Sequence, residues 1–228
     1  MAAPAAGTPT ATQFASSVTS MAVSMPASIA SGDRLIATVS VRNAGTWPTI
    51  PSGWTQLALQ AGGGGSVGAT TVFEKIAAGT ESGTTPTWVA STGTTAVWQV
   101  IRITGAHAST ASEATTASGD ATAADPPSIT PSGGANDYLI IAVAGHAAVS
   151  AAAFTAGPSG YSGFLNSGAS SGGSAVSIAT ATKQLSAATT ENPGAFTAGG
   201  SNRFWAAVTV AVYPAAGGGG TPTNLFFF

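Results

Sequence analysis

The sequence predicts an all-β protein, an antiparallel β-sandwich of jelly-roll-like form built from two repeated halves. Three observations carry this. Apolar residues alternate with residues of the opposite face at the two-residue period of a half-buried strand, as Leu35, Ala37, Val39 and Val41 do with Ile36, Thr38 and Ser40. Glycine clusters such as Gly62 to Gly65 and Gly172-Gly173 punctuate these runs where hairpins would turn. One set of landmarks also recurs, in the same order, about a hundred residues later in the 228-residue chain.

Taken in order, residues 1–20 open with Met1-Ala2-Ala3-Pro4-Ala5-Ala6-Gly7-Thr8-Pro9-Thr10. This stretch has neither the basic n-region nor the apolar h-region of a secretion signal and reads as an extended Pro/Ala/Thr arm. Residues 21–214 form the sandwich. Its first half, about 32–106, offers the strand from Leu35, then Thr71 to Ala77, Thr87 to Ala90 and Ala96 to Ile103. The Ala/Ser/Thr-rich link from Thr104 to Ala124 reads as a crossing between sheets or domains. The second half, about 136–214, offers Tyr138 to Ala144, Ser174 to Thr182, Gly194 to Ala198 and Phe204 to Tyr213. The Ala-rich run from Ala147 to Ala156 is the one helical temptation. It holds Ser150 and Thr155 and leads into Gly157-Pro158, so it reads as loop and edge strand. Residues 215–228 form a glycine hinge and an apolar tip.

The duplication rests on matched landmarks. Gly32-Asp33-Arg34-Leu35-Ile36 recurs as Asn136-Asp137-Tyr138-Leu139-Ile140, and Pro51-Ser52-Gly53-Trp54 as Pro158-Ser159-Gly160-Tyr161. Trp47 matches Phe154, Lys75 matches Lys183, Glu81 matches Glu191, Trp88 matches Phe196 and Trp98 matches Trp205. The lead-in Pro26-Ala27-Ser28-Ile29 answers Pro126-Pro127-Ser128-Ile129. Composition bias aligns Ala, Gly and Thr; it does not align aromatics, lysines and a Pro-Ser-Gly turn. A sheet with one apolar face must bury it against another layer, so the economical arrangement sets the halves face to face. Two small barrels in tandem are the alternative.

Charged residues make up only 6% of the chain and the formal net charge is −2. The six basic residues form no run, so there is no electrostatic footprint for nucleic acid. No transmembrane span is read. With no cysteine, thiolate metal sites and cysteine nucleophiles are excluded.

Few residues point to chemistry. His107 and His146 each follow a strand and read as exposed loop histidines rather than a metal pair. Asp120 and Asp125 lack the dense spacing of a calcium loop. Glu81 and Glu191 occupy equivalent turns, as do Asp33 and Asp137, which makes them structural. Glu74, Glu81 and Glu191 are the carboxylates whose convergence would make a glycosidase-like pair. No elbow or phosphate loop is present. The sequence therefore points to no catalytic residue, no metal and no cofactor. The tryptophans sit at repeat-matched positions, which reads as shared core rather than a sugar platform.

Pro51-Ser52-Gly53-Trp54, Phe73-Glu74-Lys75-Ile76-Ala77, Glu81, Trp88 and the strand ending Ile103-Thr104-Gly105 carry a resemblance. Together they resemble a β-sandwich module of tailed-bacteriophage virion proteins and some bacterial surface proteins. The resemblance covers mainly residues 32–106, with a weaker echo at 136–214. It implies a β-sandwich and supplies no catalytic residue. Such modules occur in decoration, fibre and adhesion proteins alike; with the N-terminal arm and the C-terminal tip read as attachments, the expectation is a non-enzymatic virion structural protein on the particle exterior, foremost a capsid decoration or cement protein attached through its termini. A tail-tip or fibre protein that recognises the host is the alternative. A carbohydrate-binding module is the alternative of another class. The expected partners are capsid or tail subunits, further copies of the chain and, for the alternatives, a host glycan; neither nucleic acid nor membrane is expected. The candidate partner-binding residues are Leu225, Phe226, Phe227 and Phe228, an apolar tip behind the four-glycine hinge Gly217 to Gly220.

Overall fold

The computed structural model of the chain describes residues 2–43, 48–62, 67–148, 154–171, 174–199 and 203–216. Trp47, Gly63 to Gly65, Gly172-Gly173, the middle of the Ala147 to Ala156 run, the Gly217 to Gly220 hinge and the Leu225 to Phe228 tip lie outside the described residues.

Among the described residues every regular element is a strand. The first half holds β1 (Ala5–Ala6), β2 (Thr10–Ala22), β3 (Arg34–Asn43), β4 (Pro48–Thr49), β5 (Thr55–Ala61), β6 (Val67–Ile76) and β7 (Thr87–Thr104). The second holds β8 (Glu113–Ala121), β9 (Leu139–Ala148), β10 (Phe154–Ala156), β11 (Ser162–Ser171), β12 (Ser174–Gln184), β13 (Thr197–Ala198) and β14 (Arg203–Val212).

The duplication appears as identical topology. The first sheet runs β5-β6-β3-β7-β2, with β1 and β4 also on β7, and the second runs β11-β12-β9-β14-β8. All pairings are antiparallel. Even the register of the outer pair repeats. Phe14 faces Ala96 and Thr12 faces Trp98 in the first half; Ala121 faces Arg203 and Gly119 faces Trp205 in the second.

The two sheets stack face to face with opposite strand order. β5 lies over β8, β6 over β14, β3 over β9, β7 over β12 and β2 over β11. A pseudo-two-fold axis through the β3/β9 crossing relates the halves. Between them lies a shared apolar layer that includes Ile36, Val72, Val97, Ile101 and Ile103 from the first half and Ile141, Val143, Ile178, Val208 and Val210 from the second. The halves therefore form one sandwich rather than two tandem barrels.

Each sheet also buries its other face. β2 and β7 shift register between Phe14 and Ser20, bend together, and fold over the outer side with β4. Beneath them Leu35, Ala37, Val39, Phe73, Trp88 and Trp98 form an outer core. In the second half the β10–β13 pair and the Ala124–Phe196 bridge cover Ala142, Ala144 and Trp205. Burial on both faces explains why the central strands read as nearly continuous apolar runs.

Three expectations change. The 1–20 segment is extended but is not a free arm: Ala5 and Ala6 pair with Thr104 and Ile103, and β2 pairs along β7. Its alternating Thr and Ser satisfy an edge strand that needs only one inward side chain in two. The Thr104 to Ala124 link contains β8, which completes the second sheet beside β14. Finally, Asp33 and Asp137 are not structural equivalents. The Asp33 carbonyl accepts the Ala77 N–H, and its counterpart in the second half is the Tyr138 carbonyl, which accepts the Leu185 N–H. The matched sequence is thus offset by one residue from the matched backbone, which exchanges the faces. Leu35 points to the outer core whereas Leu139 points between the sheets. With apolar residues on both faces, hydropathy alone does not fix the register.

Candidate functional site

Most charged groups are spent inside the fold, and the spending follows the repeat. In the first half the Trp54 N–H closes a turn onto the Pro51 carbonyl at 3.2 Å, with Gly53 at φ +81°. In the second the Tyr161 N–H does the same to Pro158 at 3.1 Å, with Gly160 at φ +79°. That left-handed φ is why both turns use glycine. Next to each turn a strand lysine meets the glutamate of a later loop, Lys75 with Glu81 at 3.0 Å and Lys183 with Glu191 at 2.8 Å. The Glu81 carboxylate also accepts the N–H groups of Ala78 and Gly79 at 3.0 and 2.9 Å. Burial alone would raise its pKa; the Ala78 N–H and Lys75 outweigh burial and hold it down at about 2. Tyr161 donates to Glu191 at 3.2 Å, and burial together with that neighbouring charge pushes its hydroxyl up.

The remaining ion pairs tie elements together. Buried Arg34 reaches Glu74 at 2.5 Å and donates to the carbonyls of His107 and Thr110 at 2.7 and 2.8 Å, which fastens the link to the first sheet. Arg102 meets Asp33 at 2.5 Å. Glu113 accepts from Ser132 and Tyr213; burial would raise its pKa, but these hydrogen bonds hold it below the ordinary carboxylate range. Glu74, Glu81 and Glu191 therefore each face their own cation. Asp120 and Asp125 are exposed, and among the described residues no three metal-ligating side chains gather.

His146 corrects its expectation. β9 continues past Ala144, and the two-residue period carries His146 to the outer side, fully buried with its ring 4.3 Å from Phe154. His107 does lie in a loop, where its Nδ1 accepts the Thr110 N–H at 2.9 Å. Trp54, Trp88, Trp98 and Trp205 are all buried, so none offers a ring face to a sugar.

The remaining candidate is the end of the sandwich where the chain leaves it. The Ala215 N–H donates to the Gly105 carbonyl at 2.8 Å, Pro214 bridges Ala106, and the His107 N–H donates to the Tyr213 carbonyl at 2.9 Å. This clip joins the start of the link to the end of β14. On the other side of the same corner, β1 pairs with Thr104 and Ile103, and the Gly7 N–H donates to the Arg102 carbonyl at 2.8 Å.

Beside this corner lies a groove of about 290 Å³ between residues 6–9 and β11, lined by Ala6, Pro9, Ser162, Phe164, Leu165 and Thr182. Phe164 is 38% exposed, and its ring stands 6.4 Å from buried Phe196. A more polar hollow of about 340 Å³ is lined by Arg34, Glu74, Lys75 and Ile76. The expected partner-binding residues, Leu225 to Phe228, lie outside the described residues. Sequence reasoning missed the groove because its two walls are distant in the chain. Its one signal was Phe164, a large apolar residue in a Ser/Gly-rich stretch.

No protein family, curated protein or solved structure matches the chain.

Proposed function

We propose that the protein is a non-enzymatic structural subunit of a tailed-bacteriophage virion, a decoration protein on the capsid exterior held through residues 215–228. The observation that carries this reading is the Leu225 to Phe228 tip on its four-glycine tether, beyond the clipped corner at Ala215. Four apolar side chains at about 1.5–3 kcal/mol each would fix a subunit after ordering costs are met. The use of the acids as internal clamps supports a structural role, as does the resemblance of residues 32–106 to virion modules. Attachment falls to the C-terminal segment alone, because residues 5–22 are paired within the first sheet. Capsid subunits are the partners, with further copies of the chain as neighbours on the lattice.

The test is quantitative protein counting in purified particles, with the full chain and with residues 1–224. Copy numbers tied to capsid geometry, and loss of incorporation on truncation, support the reading. A handful of copies per particle would move the protein to the tail. Normal incorporation of the truncated chain would reject attachment by the tip.

A further inference from the structure

We infer that the hollow at Arg102 is a binding site for a carboxylate carried on a small hydroxyl-bearing ring, as in a uronic acid. The site does not depend on the attachment reading.

The cation comes from the sheet. Arg102 lies on β7, and its Nε donates to the Asp33 carboxylate at 2.5 Å. Its side chain is 26% exposed, and among the described residues no group hydrogen-bonds its two terminal nitrogens. Arg34 is the contrast: its terminal nitrogens are taken by Glu74 and by the carbonyls of His107 and Thr110. A guanidinium held at Nε keeps its outer pair of N–H groups as a fork, which matches the two oxygens of one carboxylate. Asp33 is itself fixed, since the same oxygen accepts the Ala30 N–H at 2.8 Å. The fork is therefore oriented before a ligand arrives.

The hollow holds about 360 Å³, and its lining includes Thr8, Pro9, Pro26, Ala27, Ser28 and Arg102. That volume suits a single substituted ring. The Gly7 N–H donates to the Arg102 carbonyl at 2.8 Å, and the Thr10 hydroxyl donates to the Ser24 carbonyl at 2.8 Å, which ties the 7–10 wall down. The hydroxyls of Thr8 and Ser28 have no hydrogen-bond partner among the described residues. Each can donate to and accept from a ring hydroxyl. Ser28 also holds φ +58°, a left-handed backbone that serine rarely adopts and that gathers at ligand sites.

Charge narrows the ligand. With Asp33 against Arg102 the hollow is close to neutral, so a dianionic phosphate meets a like charge that a single carboxylate meets only half as strongly. The repeat narrows the role. Asp33 and Tyr138 are backbone counterparts, so Leu35 answers to Ile140. Leu35 faces Arg102, whereas Ile140 faces buried Ala211. The lysine–glutamate clamps recur in both halves because the shared fold needs them; the Arg102–Asp33 pair stands in the first half alone.

The test is a titration of the full, isotope-labelled chain with methyl glucuronide, read by amide chemical shifts. Methyl glucoside and inorganic phosphate are the comparisons. Saturable shifts at Thr8, Ser28 and Arg102 are expected, with a Kd on the order of 1 mM, and about tenfold weaker binding of both comparisons. Arg102→Lys keeps the charge and loses the fork, so it should bind the glucuronide about tenfold more weakly. Ser28→Asp changes an exposed residue to one that tolerates a left-handed backbone. It sets a competing carboxylate beside the fork and should abolish the shifts. Thermal melts check that each variant keeps the fold. No saturable shift by about 20 mM, an equal response to the glucoside or to phosphate, or unchanged affinity in Ser28→Asp each overturns the inference.

Discussion

Gln99 and Thr180 meet across the interface between the two halves, the Thr180 hydroxyl donating to the Gln99 side-chain oxygen at 2.7 Å. The Gln99 amide in turn donates to the Leu165 carbonyl at 3.1 Å and the Ser167 hydroxyl at 3.3 Å. Gln99 belongs to the first sheet; all three partners belong to the second. Both Gln99 and Thr180 are fully buried. A buried amide is costly unless satisfied, and this one is satisfied only when the halves dock in one register. The apolar contacts of the shared layer around Ile101 and Ile178 tolerate small slips; this network does not.

Gln99→Ala should therefore destabilise the whole sandwich, by about 1–3 kcal/mol for each buried group left unpaired. A double-mutant cycle with Thr180→Val, read by denaturant unfolding, should show coupling above about 0.5 kcal/mol. Additive losses would mean that the two side chains do not depend on one another.

Gly145→Ala should cost about 1–3 kcal/mol by overpacking. A Cβ at Gly145 would collide with the Thr70 hydroxyl of the facing sheet and lie 2.5 Å from the Ser40 hydroxyl. The triple variant with Thr70→Ala and Ser40→Ala should recover much of the loss in thermal melts. No recovery would place the strain elsewhere.

Trp98→Ala should cost about 3–5 kcal/mol. Trp98 is fully buried, its ring 4.6 Å from Trp88 and its indole N–H directed at the Met21 sulfur at 3.4 Å. A loss below about 1 kcal/mol in chemical denaturation would remove Trp98 from the outer core.

Glu81 should make the fold acid-sensitive. Its folded pKa, about 2, lies below the ordinary 4.5. A depressed carboxylate contributes stability above its unfolded pKa and loses it as pH falls toward the folded one. With solvent screening taken into account, on the order of 1–2 kcal/mol should therefore disappear between about pH 5 and pH 2. Glu81→Gln should be less stable than the native chain at pH 7 and nearly equal to it at pH 2. A constant gap across that range would show that Glu81 acts through packing alone.

Residues 1–110 expressed alone should not give a stable monomer. The fragment keeps the outer core around Trp98 but bares Ile36, Val97, Ile101 and Ile103, an apolar face that drives self-association. Sedimentation and thermal melts report it. A monomer with a sharp transition would show that one half suffices.

The central strands were legible because they are apolar on both faces: β3, β6, β7, β9, β12 and β14 all fall where alternating or continuous apolar runs stand. The longer strands that escaped notice, β2, β5, β8 and β11, are the rims of the two sheets. A rim strand lies beside one neighbour only and carries few large apolar residues, so its pattern is weak. The Lys75–Glu81 and Lys183–Glu191 clamps were visible as paired landmarks, although their chemistry was not. The same apolar abundance that revealed β3 and β9 concealed their one-residue offset. Of the groove only Phe164 itself was legible, since its walls come from residues 6–9 and from β11.

The clip at Gly105 and Ala215 has a mechanical consequence. A pull on residues 217–228 arrives first at the hydrogen bonds between residues 105–107 and 213–215. Those bonds lead into β7 on one side and β14 on the other, long strands that each lie within a sheet rather than at its rim. Tension is thereby divided between the two sheets and borne as shear along several neighbouring ladders. A subunit tethered at this corner would resist detachment by the strength of its whole body rather than by peeling one strand at a time.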